Sequence, residues 1–291
     1  LSKQRDNILI TGANGFVGSN MIEYLNKIEY SGDIVSIIRS ERQNAWVKEQ
    51  IDSTSMFKLD LTSDCAIHKL KSIISDYDIN RVIHLAAQSI VSKGHNYSLN
   101  TYKTNILSSI NVFEACKDLN NIRVVCMLTD KVFGNSNYAN QSSVFKQGGP
   151  YSTSKICVNY IANDYKNITK VYSCNIFGFD PYNLSRIIPK TITNLLTNQK
   201  PILYENNNKR QYIYVDDVIK RITFTDDDIV IIGSPYFFTS KQVIEKIIFQ
   251  MKAQDIGYDV IKANFKEIQS QSLQFNSAET YTPFDEALRD T

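Results

Sequence analysis

The sequence predicts an α/β fold: a doubly wound parallel sheet with a smaller C-terminal lobe interleaved with it. Three observations lead there. Short runs rich in β-branched residues recur at Ile8-Leu9-Ile10, Ile34 to Ile38, Phe57-Lys58-Leu59, Val82 to Leu85, Val124 to Leu128, Val171 to Cys174 and Ile229 to Ile232. Segments with helical apolar spacing separate them, such as Val17, Met21, Ile22, Leu25 and Ile28, then Ile106, Ile110, Val112, Phe113 and Cys116. Most of the strands read as continuous apolar runs rather than alternating ones, the pattern of a parallel sheet covered on both faces.

The first strand runs into Thr11-Gly12-Ala13-Asn14-Gly15-Phe16-Val17-Gly18 and then an amphipathic helix. Gly12 permits a tight turn, Gly15 lets backbone amides approach a pyrophosphate at the helix start, and Gly18 lets the helix pack closely. Asn14, Phe16 and Val17 complete this predicted dinucleotide site. The second strand ends Ile37-Ile38-Arg39-Ser40-Glu41-Arg42. No acid stands at Arg39 to take a ribose 2′-hydroxyl, and Arg39, Ser40 and Arg42 suit a 2′-phosphate, so NADP is expected ahead of NAD. The bland alternative is that Arg39 is solvated, with Glu41 beside it. After the third strand, Asp60 and Leu61 are placed for the adenine; Asp60 is alternatively a cap for the segment after Thr62.

The fifth strand ends at Leu128-Thr129-Asp130-Lys131. An adjacent Asp-Lys pair is usually solvated surface, and only its context gives it more weight. Tyr151-Ser152-Thr153-Ser154-Lys155 then opens a helix. Tyr151 and Lys155, at i and i+4, share one face, so the ammonium can help the phenol exchange a proton with a substrate hydroxyl. Beyond residue 178 the pattern loosens. Gly178 to Tyr182 is turn-rich, Ile187 to Leu196 resumes a helix, and Glu205-Asn206-Asn207-Asn208 reads as a polar turn. Tyr212 to Val218 and Ile229 to Gly233 look like returns to the sheet. The expected division is a dinucleotide domain over 1–177 plus about 212–234 and a substrate lobe over 178–211 and 235–291.

Composition narrows the partners. The 291 residues are 43% hydrophobic and 21% charged with a net charge of +2. Nucleic acid and anionic membrane both need clustered Lys and Arg, and no basic stripe is present, so a small-molecule partner is expected. Cys65, Cys116, Cys126, Cys157 and Cys174 are odd in number and widely spaced, and read as reduced core thiols. With His68, His84 and His95 they lack ligand spacing, so no metal is expected. No apolar run approaches the ~18 residues of a membrane span, and LSKQRDN is no signal peptide, which points to the cytoplasm.

Taken in order, TGANGFVG, DLTSD, HLAAQS, TNILSSINVFEA, LTDKVFGN, PYSTSK, NIFG, KRQYIYVDDV, IIGSPYFFTSKQVIEKI and TPFDEALRDT resemble the extended short-chain dehydrogenase/reductases that modify nucleotide sugars. The resemblance covers nearly the whole chain. It implies a Rossmann domain for NAD(P), a C-terminal nucleotide-sugar lobe and a catalytic set of Thr129, Tyr151 and Lys155. It also implies that Leu85, Ala86, Ala87 and Gln88 flank the cofactor, with Gln88 reaching substrate. Asn175 would lie near the substrate phosphates, and Arg210 would grip the diphosphate, as a guanidinium fork can. Arg210 paired with Asp216 or Asp217 is the plainer reading. Arg186 would be a second anion contact or a helix cap.

Within this family, epimerases and reductases need only the Tyr/Lys pair, whereas 4,6-dehydratases need an added acid and base. The resemblance puts that pair directly after the Thr: Asp-Glu in dTDP-glucose 4,6-dehydratases, Asp-Lys in the CDP-glucose and UDP-N-acetylglucosamine enzymes. Asp130-Lys131 is the Asp-Lys form. The implied cycle oxidises C4, takes the C5 proton with Lys131, expels the 6-hydroxyl with a proton from Asp130, and returns hydride to C6. LAAQS resembles the CDP-glucose enzymes, but Ile38-Arg39-Ser40 resembles the UDP-N-acetylglucosamine enzymes that invert C5, and these are preferred. The alternatives are a CDP- or dTDP-glucose dehydratase, an epimerase or reductase, and a non-catalytic NADP-binding regulator. A homodimer or higher homo-oligomer is implied through helices around 96–119 and 151–165. Leu128 and Phe133 depart from the family's usual small residue and Tyr.

Overall fold

The computed structural model describes residues 6–146, 148–205, 208–262 and 270–291. In chain order the strands are β1 (Ile8–Thr11), β2 (Ile34–Ile38), β3 (Ser55–Lys58), β4 (Arg81–His84), β5 (Arg123–Met127), β6 (Ser136–Ala139) and β7 (Ile168–Ser173). They continue as β8 (Asn175–Phe177), β9 (Ile202–Glu205), β10 (Lys209–Tyr214), β11 (Ile229–Ile232), β12 (Phe237–Thr239), β13 (Asp259–Lys262) and β14 (Gln271–Leu273). The helices are α1 (Phe16–Lys27), α2 (Ala45–Asp52), α3 (Ala66–Asp76), α4 (Val91–Asn96), α5 (Ser98–Tyr102) and α6 (Ser108–Cys116). Then come α7 (Pro150–Ala162), α8 (Ile187–Leu196), α9 (Val215–Thr223), α10 (Ser240–Gln250) and α11 (Phe284–Arg289).

All seven apolar runs become strands of one sheet, in the order β11-β7-β5-β4-β1-β2-β3. From β3 across to β7 every pairing is parallel. The order reverses between β1 and β4, the kind of switch point outside which open α/β sheets bind ligands. β1 is buried throughout, and α1 turns Met21, Ile22 and Leu25 inward, so the sheet is covered as the sequence predicts. One helix differs. The segment leading to Cys116 begins as a π-turn over Lys103–Leu107 before α6 starts at Ser108.

The chain divides into two compact units, the first comprising residues up to Val132, Phe145–Tyr172 and Ile219–Val230. The second takes Phe133–Val144, Ser173–Val218 and Ile231–Thr291. Its sheet runs β12-β10-β14-β6, with β8 also pairing with β10. A core of Phe177, Ile188, Tyr212, Ile244, Ile247 and Phe284 lies within that unit. Here the structure corrects the predicted boundaries. Residues 133–144, 173–177, 212–218 and 231–234 belong to the second unit: Tyr212, Ile213 and Tyr214 pair in parallel with Asn175, Ile176 and Phe177, and β6 pairs with β14. Of the predicted polar turn, Asn206 and Asn207 lie outside the described residues. All five cysteines are free thiols; Cys116, Cys126 and Cys174 lie in the core as expected, but Cys157 is only partly buried and Cys65 is exposed. Among the described residues no helix is long and apolar enough to cross a membrane.

Candidate active site

The glycine turn is shaped by what crowds it. Gly12 has φ of +67°, and a Cβ there would lie 2.8 Å from the Ala86 Cα, so the loop after β4 rests directly on the turn. A Cβ on Gly18 would lie 2.6 Å from the Gly12 carbonyl oxygen and 2.8 Å from the Ala13 Cα. Gly18 therefore packs the helix against the turn itself. Asn14 adds a brace, its Nδ2 donating to the Ser40 carbonyl at 2.7 Å.

Outside the carboxyl ends of these strands lies a cleft of about 220 Å³. It gathers the predicted Gly12, Asn14 and Gly15, then Arg39, Ser40 and Arg42, then Asp60 and Leu61, and finally Leu85, Ala86, Ala87 and Gln88. Phe16, Val17 and Gly18 stay in the first turn of α1 and do not line it. Asp60 does not cap α3, whose N-cap is Cys65 without a side-chain bond; its Oδ1 instead closes a local turn, accepting from the Thr62 N–H at 2.9 Å and the Thr62 hydroxyl at 2.8 Å. Those bonds, with Arg39 and Lys103 nearby, hold its carboxyl below the usual range.

The sequence reading missed Asn100, Thr104 and Ser108, which also line the cleft. Their i, i+4, i+8 spacing was a legible polar stripe. Gln88 is less free than expected. Its Oε1 accepts from the Ile90 N–H, and its Nε2 donates to the Ile90 carbonyl and the Thr101 hydroxyl.

The second cluster forms where β5 ends. Leu128 still bonds to the Val171 carbonyl, and the chain then tightens into a 3-10 turn over Asp130–Phe133. Asp130 is 2% exposed. Its Oδ1 accepts from the Thr129 hydroxyl at 3.1 Å, and both carboxylate oxygens lie 3.1 Å from the Lys131 Nζ. On α7, Pro150 at the helix start precedes Tyr151, which is buried. One turn on, the Lys155 Nζ donates to the Met127 carbonyl at 2.8 Å, and burial lowers its pKa. The Ser152 hydroxyl bonds to the Lys131 carbonyl at 3.2 Å, a second tie between α7 and the turn. These ties bring the five predicted catalytic residues into one neighbourhood of the first unit.

Asn175, Arg186 and Arg210 all lie in the second unit. The Asn175 Nδ2 donates to the Gln211 carbonyl, an Arg186 guanidinium nitrogen to the Ile176 carbonyl, and one of Arg210 to the Lys209 carbonyl. Asp217, one suggested partner of Arg210, holds the backbone and side chain of Thr282 instead. Among the described residues no group of three or more His, Cys, Asp or Glu is placed to hold a metal ion.

The sheet order, the glycine turn with its cleft, and a buried Tyr/Lys helix define a class of nucleotide-cofactor proteins. The chain belongs to the NAD dependent epimerase/dehydratase family, whose pattern matches residues 8–227. It is similar to a dTDP-D-glucose 4,6-dehydratase of Dictyostelium discoideum, with 28% identity over 83% of this chain and 61% of that one. The chain thus spans less than two-thirds of that relative's length. Among solved structures, it resembles a UDP-glucose 4-epimerase of Thermotoga maritima with UDP-glucose (TM-score 0.85, 20% identity, 97% of this chain and 96% of the other). It also resembles a dTDP-glucose 4,6-dehydratase of Bacillus anthracis in complex with NAD (TM-score 0.83, 22% identity, 99% and 95% covered).

A dinucleotide suits the cleft on its own chemistry. The turn offers backbone without side chains at Gly12 and Gly15, and the first turn of α1 presents amide N–H groups by its geometry. The far end carries two arginines and a serine.

Proposed function

We propose that the protein is a nucleotide-sugar 4,6-dehydratase that uses NADP in preference to NAD. The observation that carries this reading is the buried Asp130 carboxylate, held between the Thr129 hydroxyl and the Lys131 ammonium. A hydride-transfer enzyme with no elimination to perform has no need of a second acid and base there. Gly12, Asn14 and Gly15 would hold the pyrophosphate, Arg39, Ser40 and Arg42 the 2′-phosphate, and Asp60 and Leu61 the adenine. When bound, the nicotinamide would supply reversible hydride transfer at C4 and C6.

The chain's own groups handle the protons. Tyr151 takes the O4 proton, with Lys155 favouring the phenolate and Thr129 orienting the hydroxyl. Moving one proton from Lys131 to Asp130 turns the ion pair into a neutral amine beside a carboxylic acid. That pair can take H5 and give a proton to the leaving 6-hydroxyl, which becomes water. The ion pair returns in the same event and an internal proton shift resets it, while the proton held by Tyr151 passes to C5 as C6 regains hydride, which restores the phenolate.

The preferred substrate is UDP-N-acetylglucosamine, converted to a UDP-4-keto-6-deoxy-hexosamine with inversion at C5. By the family resemblance, Asn175, Arg186 and Arg210 would contact its diphosphate and Gln88 its sugar. The Asp-Lys pair supports this choice over dTDP-glucose, and Arg39 directly after β2 supports it over CDP-glucose. A second reading, a nucleotide-sugar 4-epimerase, draws on the same ion pair, since a structural Asp-Lys contact would look alike. Exposed Leu99 on α5 and Tyr160 on α7 support a homodimer through those helices.

The test is incubation in heavy water with NADP and each of UDP-N-acetylglucosamine, CDP-glucose and dTDP-glucose. The expected product is a 4-keto-6-deoxy sugar carrying deuterium at C5. Asp130→Asn should abolish it while cofactor binding persists. Stereoisomers alone would establish the epimerase instead.

A further inference from the structure

We propose that His84 is the positioning residue of a closed hydrogen-bonded ring that presets the Ala86–Gln88 wall of the cofactor cleft. The proposal rests on that cleft being the dinucleotide site. His84 ends β4, is 3% exposed, and takes no part in the chemistry described above. Its Nδ1 lies 2.8 Å from the Thr11 hydroxyl on β1, and its Nε2 lies 3.0 Å from the Ser109 hydroxyl on α6. Thr11 and Ser109 are themselves buried.

The partners fix the direction of every bond. The Ser109 hydroxyl donates its single proton to the Asn105 carbonyl at 2.7 Å, so it can only accept from His84. The imidazole proton is therefore on Nε2. Nδ1 is then an acceptor and receives the Thr11 hydroxyl proton, while the Thr11 oxygen accepts the Ala86 N–H at 3.2 Å. Asn105 closes the circuit from the other side. Its Oδ1 accepts the Gln88 N–H at 2.7 Å and its Nδ2 donates to the Gln88 carbonyl at 3.1 Å. The ring runs Ala86, Thr11, His84, Ser109, Asn105, Gln88 and back through Ala87.

What the ring encloses is a wall of the cleft. Ala86, Ala87 and Gln88 line it, and Ala86 is the residue against which Gly12 must remain without a side chain. A loop tied at Ala86 and at Gln88 cannot shift toward the glycine turn or away from it. The π-turn over Lys103–Leu107 is the backbone irregularity from which Asn105 reaches the loop, and such turns tend to mark functional positions. Only a neutral imidazole with its proton on Nε2 completes the ring. Burial and the facing Lys155 ammonium lower the His84 pKa to about 3, which keeps it in that form. The same Asn105 Nδ2 also bonds to the Ser154 hydroxyl, which donates to the Tyr151 carbonyl, so the ring adjoins the catalytic helix.

The ring can be cut without touching the cleft lining or the histidine. Thr11→Val removes one link at constant shape, and Ser109→Ala removes the other. NADPH and NADH binding would be titrated for wild type, both single variants and the double variant. Each single variant should bind about fivefold to twentyfold more weakly, as the loss of one buried hydrogen bond predicts. The double variant should lose less than the product of the two, because a ring once opened has less left to lose. In the wild-type protein, imidazole ¹⁵N resonances should show a protonated Nε2 and a bare Nδ1. Affinity within twofold of wild type in either single variant, a fully multiplicative double variant, or a proton on Nδ1 would each overturn the proposal. If the variants do not fold, the imidazole resonances decide. Failure of wild type to bind either dinucleotide would instead sink the cleft assignment.

Discussion

The two units make their sheets in opposite ways. In the first, strands come from apolar runs that neighbour one another in a simple crossover order, and polar groups gather at their carboxyl ends. In the second, strands more distant in sequence are stitched together by buried glutamines. Gln211, 1% exposed, donates to the Ser234 and Leu273 carbonyls and accepts the Leu273 N–H, fastening β14 to β10. Gln271 reaches the Gly134 carbonyl in the same manner. Burial of such amides is tolerated only because each polar atom finds a partner. The first unit therefore keeps its polar order for the site, whereas the second uses it to define its fold.

Gly18→Ala should break the first unit's side of this comparison most severely. The added carbon would sit under 3 Å from backbone atoms of Gly12 and Ala13, which cannot swing aside as a side chain would. Overpacking of this kind costs about 3 kcal/mol, and the helix propensity gained from alanine returns about 1 kcal/mol. Urea denaturation should show a net loss of about 2 kcal/mol, and NADPH affinity should fall with it. An unchanged midpoint would mean that the turn is not braced by α1.

The same contrast explains what could be read from the sequence. All seven strands of the large sheet were legible because each is long enough and apolar enough to declare itself. Gly12 to Gly18, Arg39, Asp60, Thr129 to Lys131, Tyr151 and Lys155 were legible because motif spacing fixes them relative to those strands. The second sheet was not, and Tyr212 to Tyr214 went to the wrong unit. An apolar strand does not state its partner, and β8 pairs with it across more than thirty intervening residues. His84 was passed over for a related reason. A lone histidine gives no signal until Thr11 and Ser109, far away in sequence, close around it. Asn100, Thr104 and Ser108 did carry a periodic signal, but polar stripes on helices usually face solvent.

Acidification should reach the first unit through His84. Its pKa falls from an ordinary 6.5 to about 3 on folding, so the unfolded chain takes up this proton at a pH where the folded chain does not. The stabilisation from the neutral ring is fully present above 6.5 and is lost progressively as pH falls toward 3. Between about pH 7 and pH 5.5 this amounts to about 1.3 kcal/mol. Chemical denaturation across that interval should show the slope in wild type and lose it in His84→Gln. A wild-type stability flat over the interval would contradict a buried neutral imidazole.

The smallest effect is expected at the rim of the second unit. The Lys246 Nζ lies 3.0 and 3.1 Å from the two oxygens of Asp285 and 5.3 Å from the centre of the Phe238 ring. Asp285 is half exposed, so water and salt weaken the pair, and such contacts contribute about 0.5 kcal/mol. The ring contact adds a similar amount that salt affects less. Lys246→Met should therefore cost under about 1 kcal/mol, with part of that cost disappearing in about 1 M salt. A salt-independent loss of about 2 kcal/mol or more would show that the second unit also depends on a buried charge, and the contrast between the units would fail.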